Sequence, residues 1–577
     1  MTIYELITHL LPEGTDAFDS MQEEHVDLPA IDWKKCPTWP IDLFAVVGSI
    51  IERSGCYTLA SPDRHKLDEH KAYLAEIALA AQRWNANISE VPDSVNNLWW
   101  MLTLVYADVH MHEIASMPDL VKALLILFAV ADEACIGMGW DVDPANAPQH
   151  QFSSITFAAL TKADQALALP HLPHSLCVMV SPDSAVVLPK SINSAVGCTI
   201  RSLSHYLALL PPSSVLNASW ILSSKKPPAA TAADATAADA TAPYDMRLLL
   251  IPFPFTIHAD SFKLSTPRKE LGHNHVPAYF ELEARWLKRD GKPLTGELLA
   301  RELIIPLIQQ AITETGAAPN GIILPECALT AALAGELVEA LKDSKIDFLI
   351  TGVLDTGENG THYNRALTFA FQEGKEATVA EQNKHHRWRL DRGQTERYAL
   401  HFDPDPNNDK WWEDIDVSQR KLPFLALRKD MSLATFICED LARTDPAMTA
   451  IRAVGPNLVV ALLMDGPQLA VRWPGRYATV LAEDPGSAVL SFTCAAMVDR
   501  SNWLEAKPAR AVGLWRDGAG RTQEIGLAAG SLAVLLTLQS KKKHQNTLDN
   551  RSDNSLSRQL TLRTVVPLFL AKPLHWL

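Results

Sequence analysis

Three residues in the middle of the chain have the types that a nucleophilic hydrolysis needs. Glu326 follows the apolar run NGIILP, Lys384 follows the strand-like run EATVAEQN, and Cys438 ends the apolar run LATFIC. A thiol with its ordinary pKa of about 8.5 is mostly protonated at neutral pH, so it needs a neighbouring base before it attacks carbon. A carboxylate accepts that proton and later returns it to a departing amine, while an ammonium group stabilises developing negative charge. These residue types predict Cys438 as the nucleophile, Glu326 as the general base and Lys384 as the stabilising cation.

The residue after the thiol supplies a further candidate group. A nucleophile on a tight turn after a strand commonly has the next backbone N–H directed at the reacting centre. We therefore expect the N–H of Glu439 to stabilise the developing charge together with Lys384.

Three short motifs in a fixed order carry a family resemblance. PE at the end of one strand, K-x-H after a second and I-C-E-D after a third resemble the nitrilase, or carbon–nitrogen hydrolase, superfamily. The segment HYNRALTFAFQEGKEATVAEQNKHH is similar to the strand–turn–strand hairpin that carries the lysine in that family. The resemblance covers residues from about 244 to 540, and the N-terminal region resembles no family that we recognise.

The resemblance implies a four-layer αββα sandwich that dimerises through its helices. It also implies attack of Cys438 on an amide or a nitrile, release of ammonia or an amine, and hydrolysis of the thioester by water. It implies neither a metal nor an organic cofactor. Many members have a second glutamate that positions the lysine, and Glu396 in QTERYAL, twelve residues beyond Lys384, matches it. The runs EDLARTDPA and LLMDGPQ depart from common family patterns, so the resemblance does not identify the substrate.

The elements that must position these residues alternate between short β-rich and helical runs. An α/β fold with helices covering sheets is the usual result of such alternation. The strand candidates are residues 246–253, 320–325, 347–353, 365–371, 433–438, 457–463, 487–493 and 531–538. The helical candidates include LTGELLARELIIPLIQQAITET, ALTAALAGELVEALKDS, AMTAIRAV and GRYATVLAED.

Two polar stretches divide the chain into regions. Residues 225–244 form an Ala/Thr/Asp-rich run with nothing large to bury, which predicts a linker. Before it we expect a mainly helical N-terminal domain (1–165), with a helix over 94–115. A small α/β unit (166–224) follows, with strands near 176–180 and 217–224 and a helix over 198–210. After the linker we expect the hydrolase-like domain (245–540) and then a polar linker with a C-terminal tail (541–577).

The composition of the chain limits the classes of protein to which it can belong. The formal net charge is −15 (52 basic and 67 acidic residues), which argues against general binding to nucleic-acid backbones. The eight cysteines form no CxxC pair, a pattern that favours a reducing compartment over a disulfide framework or a zinc site. We expect no signal peptide, and the most apolar stretch (123–131) is far shorter than the roughly 20 residues of a membrane span. These features predict a cytoplasmic protein.

The leading functional hypothesis is an amidase-type hydrolase that cleaves a small or medium non-peptide carboxamide. We expect a homodimer or a higher homo-oligomer, with a protein partner bound through the N-terminal domain. Three alternatives stay open: a nitrilase-like scaffold that acts by assembling, an accessory protein of a reverse-transcriptase-associated antiviral system, and acyl transfer to an amine.

Overall fold

The N-terminal region is built from helices around one apolar core. The computed structural model describes residues 1–15, 32–138, 150–161, 169–192, 197–222, 244–265, 278–289, 291–372, 375–400, 402, 409–428, 431–554, 557–572 and 574. The N-terminal helices are α1 (Ile3–Leu10), α2 (Pro40–Ser54), α3 (Leu67–Ala86), α4 (Asp93–Trp100), α5 (Pro118–Ala134) and α6 (Gln151–Thr161). The helix expected over 94–115 is shorter, because α4 passes into a π-helical turn at Met101–Val105 and the chain then turns to pair His110 with Thr2.

Two buried carboxylates shape the segment that follows. The strand expected near 176–180 does not form, since Asp42 of α2 accepts the backbone N–H groups of Val178, Met179 and Val180. The helix expected over 198–210 is instead a 3₁₀ turn and a strand, where Asp132 of α5 accepts three successive backbone N–H groups. These buried carboxylates accept hydrogen bonds from backbone N–H groups that would otherwise donate within a strand or a helix. The strands are β1 (Val186–Pro189), β2 (Leu207–Leu210) and β3 (Asn217–Leu222).

The central module alternates strands and helices as the sequence predicts. Its strands are β4 (Tyr244–Leu250), β5 (Phe262–Leu264), β6 (Tyr279–Leu282), β7 (Lys288–Arg289), β8 (Lys292–Pro293), β9 (Gly321–Ile323), β10 (Phe348–Thr356), β11 (His362–Gln372), β12 (Lys375–Asn383), β13 (Arg389–Asp391), β14 (Lys410–Glu413), β15 (Lys421–Arg428), β16 (Met431–Ile437), β17 (Leu458–Leu463), β18 (Ala488–Thr493), β19 (Ala511–Arg516), β20 (Thr522–Gly526), β21 (Ala533–Lys542) and β22 (Arg558–Leu568). Its helices are α7 (Gly296–Leu299), α8 (Ile305–Thr315), α9 (Ala331–Leu341), α10 (Arg392–Arg397), α11 (Ala447–Val454), α12 (Trp473–Glu483) and α13 (Ala495–Ser501).

Two seven-stranded sheets face each other. The first has the order β12-β11-β10-β9-β4-β21-β22, and the second has the order β20-β19-β18-β17-β16-β15-β3. Leu248 and Leu250 of β4 pack between the sheets against Val460 of β17, while Leu249 packs outward under α8 and α9. The outer face of the second sheet is covered by α11 and α12. These layers confirm the predicted αββα sandwich.

Both ends of the predicted hydrolase-like domain extend further than the sequence indicates. β3, assigned to the small α/β unit, pairs with β15 in parallel and forms the edge of the second sheet. β22, assigned to the C-terminal tail, pairs with β21 along its length. The boundaries drawn near residues 224 and 540 therefore cut through the sheets. The predicted linker 225–244 lies, except for Tyr244, outside the described residues. Within the described part of the chain, no helix is long and apolar enough to cross a membrane.

Candidate active site

Glu326 lies on a tight turn that follows β9 and packs directly on β10. Gly352 of β10 allows this approach, because a Cβ atom there would lie 2.4 Å from the Cα of Glu326. The backbone N–H of Gly352 also donates to Pro325 O at 3.0 Å. Cys327 has a φ of 57°, in the left-handed region, so the chain reverses immediately after Glu326. The turn therefore holds the Glu326 side chain, which is 1% exposed, in one buried position.

Lys384 is fully buried between two carboxylates. Its Nζ lies 2.8 Å from Oε1 of Glu326 and 2.6 Å from Oε2 of Glu413. Asn364 of β11 donates from Nδ2 to the same two carboxylates, at 2.8 Å each. Asn364 lies on β11 and Lys384 directly follows β12, and the backbone N–H of Lys384 donates to Asn364 O at 2.9 Å. The hairpin therefore aligns both donors with the turn that carries Glu326.

Glu396, the predicted second glutamate, is in a different place. It is an exposed residue of α10, and the carboxylate that contacts the ammonium belongs to Glu413, 29 residues beyond Lys384. β13, α10 and the start of β14 occupy the intervening chain. Glu413 is buried because it lies on the inner side of β14, where Trp388 also donates its backbone N–H to it at 2.9 Å. The assignment of Glu396 as the residue that positions Lys384 was wrong, because the fold brings Glu413 to the ammonium and leaves Glu396 exposed on α10.

Cys438 is the residue at which β16 ends and a 3₁₀ turn, Cys438–Ala442, begins. Its φ of 47° is uncommon for a residue with a side chain, and such strain is found preferentially at functional sites. Asp440, on the same turn, accepts the backbone N–H groups of His385 and His386 at distances of 3.0 to 3.1 Å. The residues that follow Lys384 and the turn that follows Cys438 are thereby tied together.

The pKa values describe the charge state of this cluster at rest. Burial raises the pKa of the Cys438 thiol well above its ordinary value, and the negative charge of Glu326 adds to the shift more than Lys384 offsets it. Burial also raises the pKa of Glu326, against the effect of Lys384. For Lys384, burial alone would lower the pKa, but Glu326 and Glu413 raise it well above its ordinary value. The resting site holds a neutral thiol beside an ammonium group shared by two carboxyl groups.

Two buried oxygen atoms of the cluster could accept hydrogen bonds that no described residue donates. Oε2 of Glu326 and Oδ1 of Asn364 are buried, and neither has a hydrogen-bond partner among the described residues. A carboxylate oxygen that accepts no other hydrogen bond, and whose charge acts on a nearby thiol, can accept the thiol proton as a general base. Glu439, the expected oxyanion donor through its N–H, is the second residue of the turn that begins at Cys438, and its side chain pairs with Arg443.

Sequence reasoning missed two members of the cluster. Asn364 stood in the HYN run that supported the resemblance, but its bridging role needs the two carboxylates to be close in space. Glu413 had no signal in the sequence, because KWWE does not alternate between polar and apolar residues. The fold shows that Trp411 and Glu413 are buried in β14 while Lys410 and Trp412 are exposed. A glutamate on the buried side of a strand indicates a buried cation nearby.

Comparisons with known proteins gave matches among solved structures. No family model matches the chain, and no curated protein matches it. Among solved structures, Nit3 of Saccharomyces cerevisiae, a nitrilase-superfamily member, matches 51% of this chain and 89% of its own, with 12% identity and a TM-score of 0.32. An amidase of Nesterenkonia from the same superfamily matches 51% and 90%, with 13% identity and a TM-score of 0.30.

A larger enzyme is matched over a smaller part of its length. The glutamine-dependent NAD+ synthetase of Acinetobacter baumannii matches 51% of this chain, with 13% identity and a TM-score of 0.29, and this chain spans 45% of the synthetase. Two of these three solved structures are described as nitrilase-superfamily members. At these scores the likeness carries no functional argument, which rests on the site itself.

Proposed function

We propose that this chain is a cysteine-dependent hydrolase of the nitrilase type that cleaves a carbon–nitrogen bond in a carboxamide. The observation that carries the proposal is the buried ammonium of Lys384 between Glu326 and Glu413, within electrostatic reach of a strained cysteine. Covalent amide hydrolysis requires a thiol, a base with an unused oxygen and a cation, close together in a buried site.

The reaction begins with transfer of the thiol proton from Cys438 to Glu326 while the sulfur attacks the carbonyl carbon. The oxyanion is stabilised by Lys384 and the N–H of Glu439. When the carbon–nitrogen bond breaks, Glu326 gives its proton to the leaving nitrogen, and ammonia or an amine departs. Glu326 then accepts a proton from water as the water oxygen attacks the thioester carbon. When the carbon–sulfur bond breaks, Glu326 returns that proton to the sulfur of Cys438, and the acid leaves. Glu413 and Asn364 hold the ammonium and Glu326 in place.

We propose an amide, rather than a nitrile, as the substrate. The test is turnover of a panel of carboxamides by the full chain and by Cys438→Ala. We expect the substitution to abolish turnover, whereas Cys198→Ala, at an exposed thiol, leaves it intact. Turnover retained by a folded Cys438→Ala variant would reject the proposal.

The N-terminal region is a structural part of the proposed enzyme. β3 completes the second sheet, and the side chains of β1 and β2 pack with α11. Self-association and partner binding through this region remain predictions. Their test is the mass of the full chain in solution, because removal of residues 1–230 would take a strand from the second sheet.

A further inference from the structure

A cavity of about 410 Å³ opens beside the turn that carries Cys438. Its volume lies in the range of small-molecule sites, roughly 300 to 1,000 Å³. The side chains that matter here are those of Arg389, Trp412, Glu439, Arg443, Trp473 and Tyr477. Three of these six are aromatic, so the walls suit a flat organic group.

Two of its wall residues place this cavity near the thiol. Glu439, whose N–H is the proposed oxyanion donor, is the residue after Cys438. Trp473 donates from Nε1 to Asp465 at 3.0 Å, and the charge of Asp465 acts on the pKa of Cys438. Trp412 precedes Glu413, but the two side chains lie on opposite faces of β14. The cavity therefore lies next to the turn that carries the thiol, and the side chain of Cys438 is not part of its wall.

One cation in the cavity wall, Arg389, is not paired with the acidic groups of that wall. Asp391 accepts the N–H of Gln394 at 2.8 Å and caps α10, and Glu439 is paired with Arg443. The guanidinium of Arg389 lies 5.8 Å from the ring centroid of Trp412. In the part of the chain that the structure describes, Arg389 forms no ion pair. It is exposed, positioned by an aromatic face, and has its donors available for an anion.

A second cavity, of about 400 Å³, has the opposite charge. It includes Glu413 in its wall, together with Glu281, Glu283, Asp355 and Asp414. The basic groups in that wall, Lys263 and His362, contact Glu283 and Glu281 respectively. An anionic group would be repelled there, so the two sides of β14 differ in the charge that they accept.

We propose that the cavity beside Cys438 binds the acyl half of the substrate, and that this half is a planar group with an anionic substituent held by Arg389. This inference rests on the proposed function and adds the substrate class: a carboxamide of an aromatic or otherwise flat acid that carries a second, ionised acid group. Arg389 acts as a specificity residue, and Trp412 holds its guanidinium over the cavity.

The test compares 4-carboxyphenylacetamide with 4-methylphenylacetamide on the full chain. We expect kcat/KM to be at least about tenfold higher for the carboxylate, the factor that one charge-assisted hydrogen bond gives. Arg389→Met should lower the ratio of the two values by about tenfold. The matched control Arg392→Met, an exposed arginine of α10 outside the cavity wall, should keep the ratio.

The outcomes separate this inference from the proposed function. Turnover of both amides with a ratio near one, or a ratio unchanged by Arg389→Met, overturns the inference and leaves the hydrolase proposal standing. No turnover of either amide counts against the hydrolase proposal. In that case, quenching of tryptophan fluorescence by 4-carboxyphenylacetamide decides the inference: quenching that Arg389→Met weakens supports the site, and quenching that it leaves unchanged, or none, overturns it.

Discussion

Two buried cations, Lys384 and Arg551, lie among carboxylates in different parts of this molecule. Arg551 contacts Asp132 at 3.0 Å and Glu133 at 2.7 Å, both of α5, and Asp549 at 3.0 Å. Its guanidinium also donates to the carbonyl oxygen of Leu203. Like Lys384, Arg551 has almost no exposed surface, and its neighbours raise its pKa against the effect of burial.

The two clusters differ in what they leave unused. Asp132 accepts three backbone N–H groups besides Arg551, and Asp549 also accepts from the hydroxyl of Tyr73 at 2.8 Å. In the Lys384 cluster, one oxygen of Glu326 has no partner among the described residues, and a thiol is close by. We interpret the saturated cluster as one that joins parts of the fold, and we propose that the unsaturated cluster beside the thiol is catalytic.

The largest expected effect comes from removing the cation of the unsaturated cluster. Lys384→Met should lower kcat for an amide substrate by about 10³-fold, because the developing oxyanion loses its charged partner. Circular dichroism should show that the variant is folded. A folded variant that loses less than tenfold would separate Lys384 from the chemistry.

Removing the cation of the saturated cluster should affect stability. Arg551→Met leaves three carboxylates buried together, and we expect a loss of about 3 to 5 kcal/mol in the free energy of unfolding, with activity per folded molecule unchanged. Urea unfolding measures the loss. Arg563→Met, at an exposed arginine near Asp245, is the control and should change stability by less than about 0.5 kcal/mol. Equal effects from both substitutions would contradict the structural role of Arg551.

Glu413 and Glu396 are the two candidates for the glutamate that positions Lys384, and substitution of each one tests which of them does so. Glu413→Gln removes a carboxylate 2.6 Å from the ammonium and should lower kcat/KM by about 10²-fold, the effect expected when a catalytic group is misplaced by about 1 Å. Glu396→Gln changes an exposed residue of α10 and should stay within about twofold of the unsubstituted chain. The reverse order of effects would restore the assignment made from the sequence.

The smallest expected effect is on pH dependence. A general base works when ionised, so kcat/KM should fall as pH decreases through the pKa of Glu326, which burial raises above the ordinary 4.5. The negative charge of Glu413 adds to that rise, so Glu413→Gln should move the acid limb of the profile to lower pH. A limb at the ordinary pKa of a glutamate, or one that Glu413→Gln leaves in place, would argue against Glu326 as the base.

The parts of the site that the sequence predicted have a local signal. Glu326, Lys384 and Cys438 each follow an apolar run, and chain order plus residue type was sufficient to propose them. The structure brings Glu326 and Lys384 within 2.8 Å, and the catalytic roles of the three residues stay predictions. Glu413 lacks such a signal, since its position depends on how β13, α10 and β14 fold back over the lysine. Spacing along the chain does not encode that path.

The same limit explains the errors in the fold. The alternation of the central module predicted the sandwich, because periodicity reports which face of each element is buried. The segments at 176–180 and 198–210 have strand-like and helix-like patterns, but Asp42 and Asp132 bind their backbone donors from distant helices. β3 and β22 were assigned outside the sheets because pairing with a strand far along the chain has no local signature.

The most direct measurement of the central claim is the position of the acyl group during turnover. Full-length chain turning over a carboxamide is quenched in acid, digested and analysed by mass spectrometry. The account predicts a thioester on the peptide that contains Cys438, and none at Cys327 or Cys494. Continued amide turnover with no adduct on Cys438, or with the adduct on another residue, would contradict it.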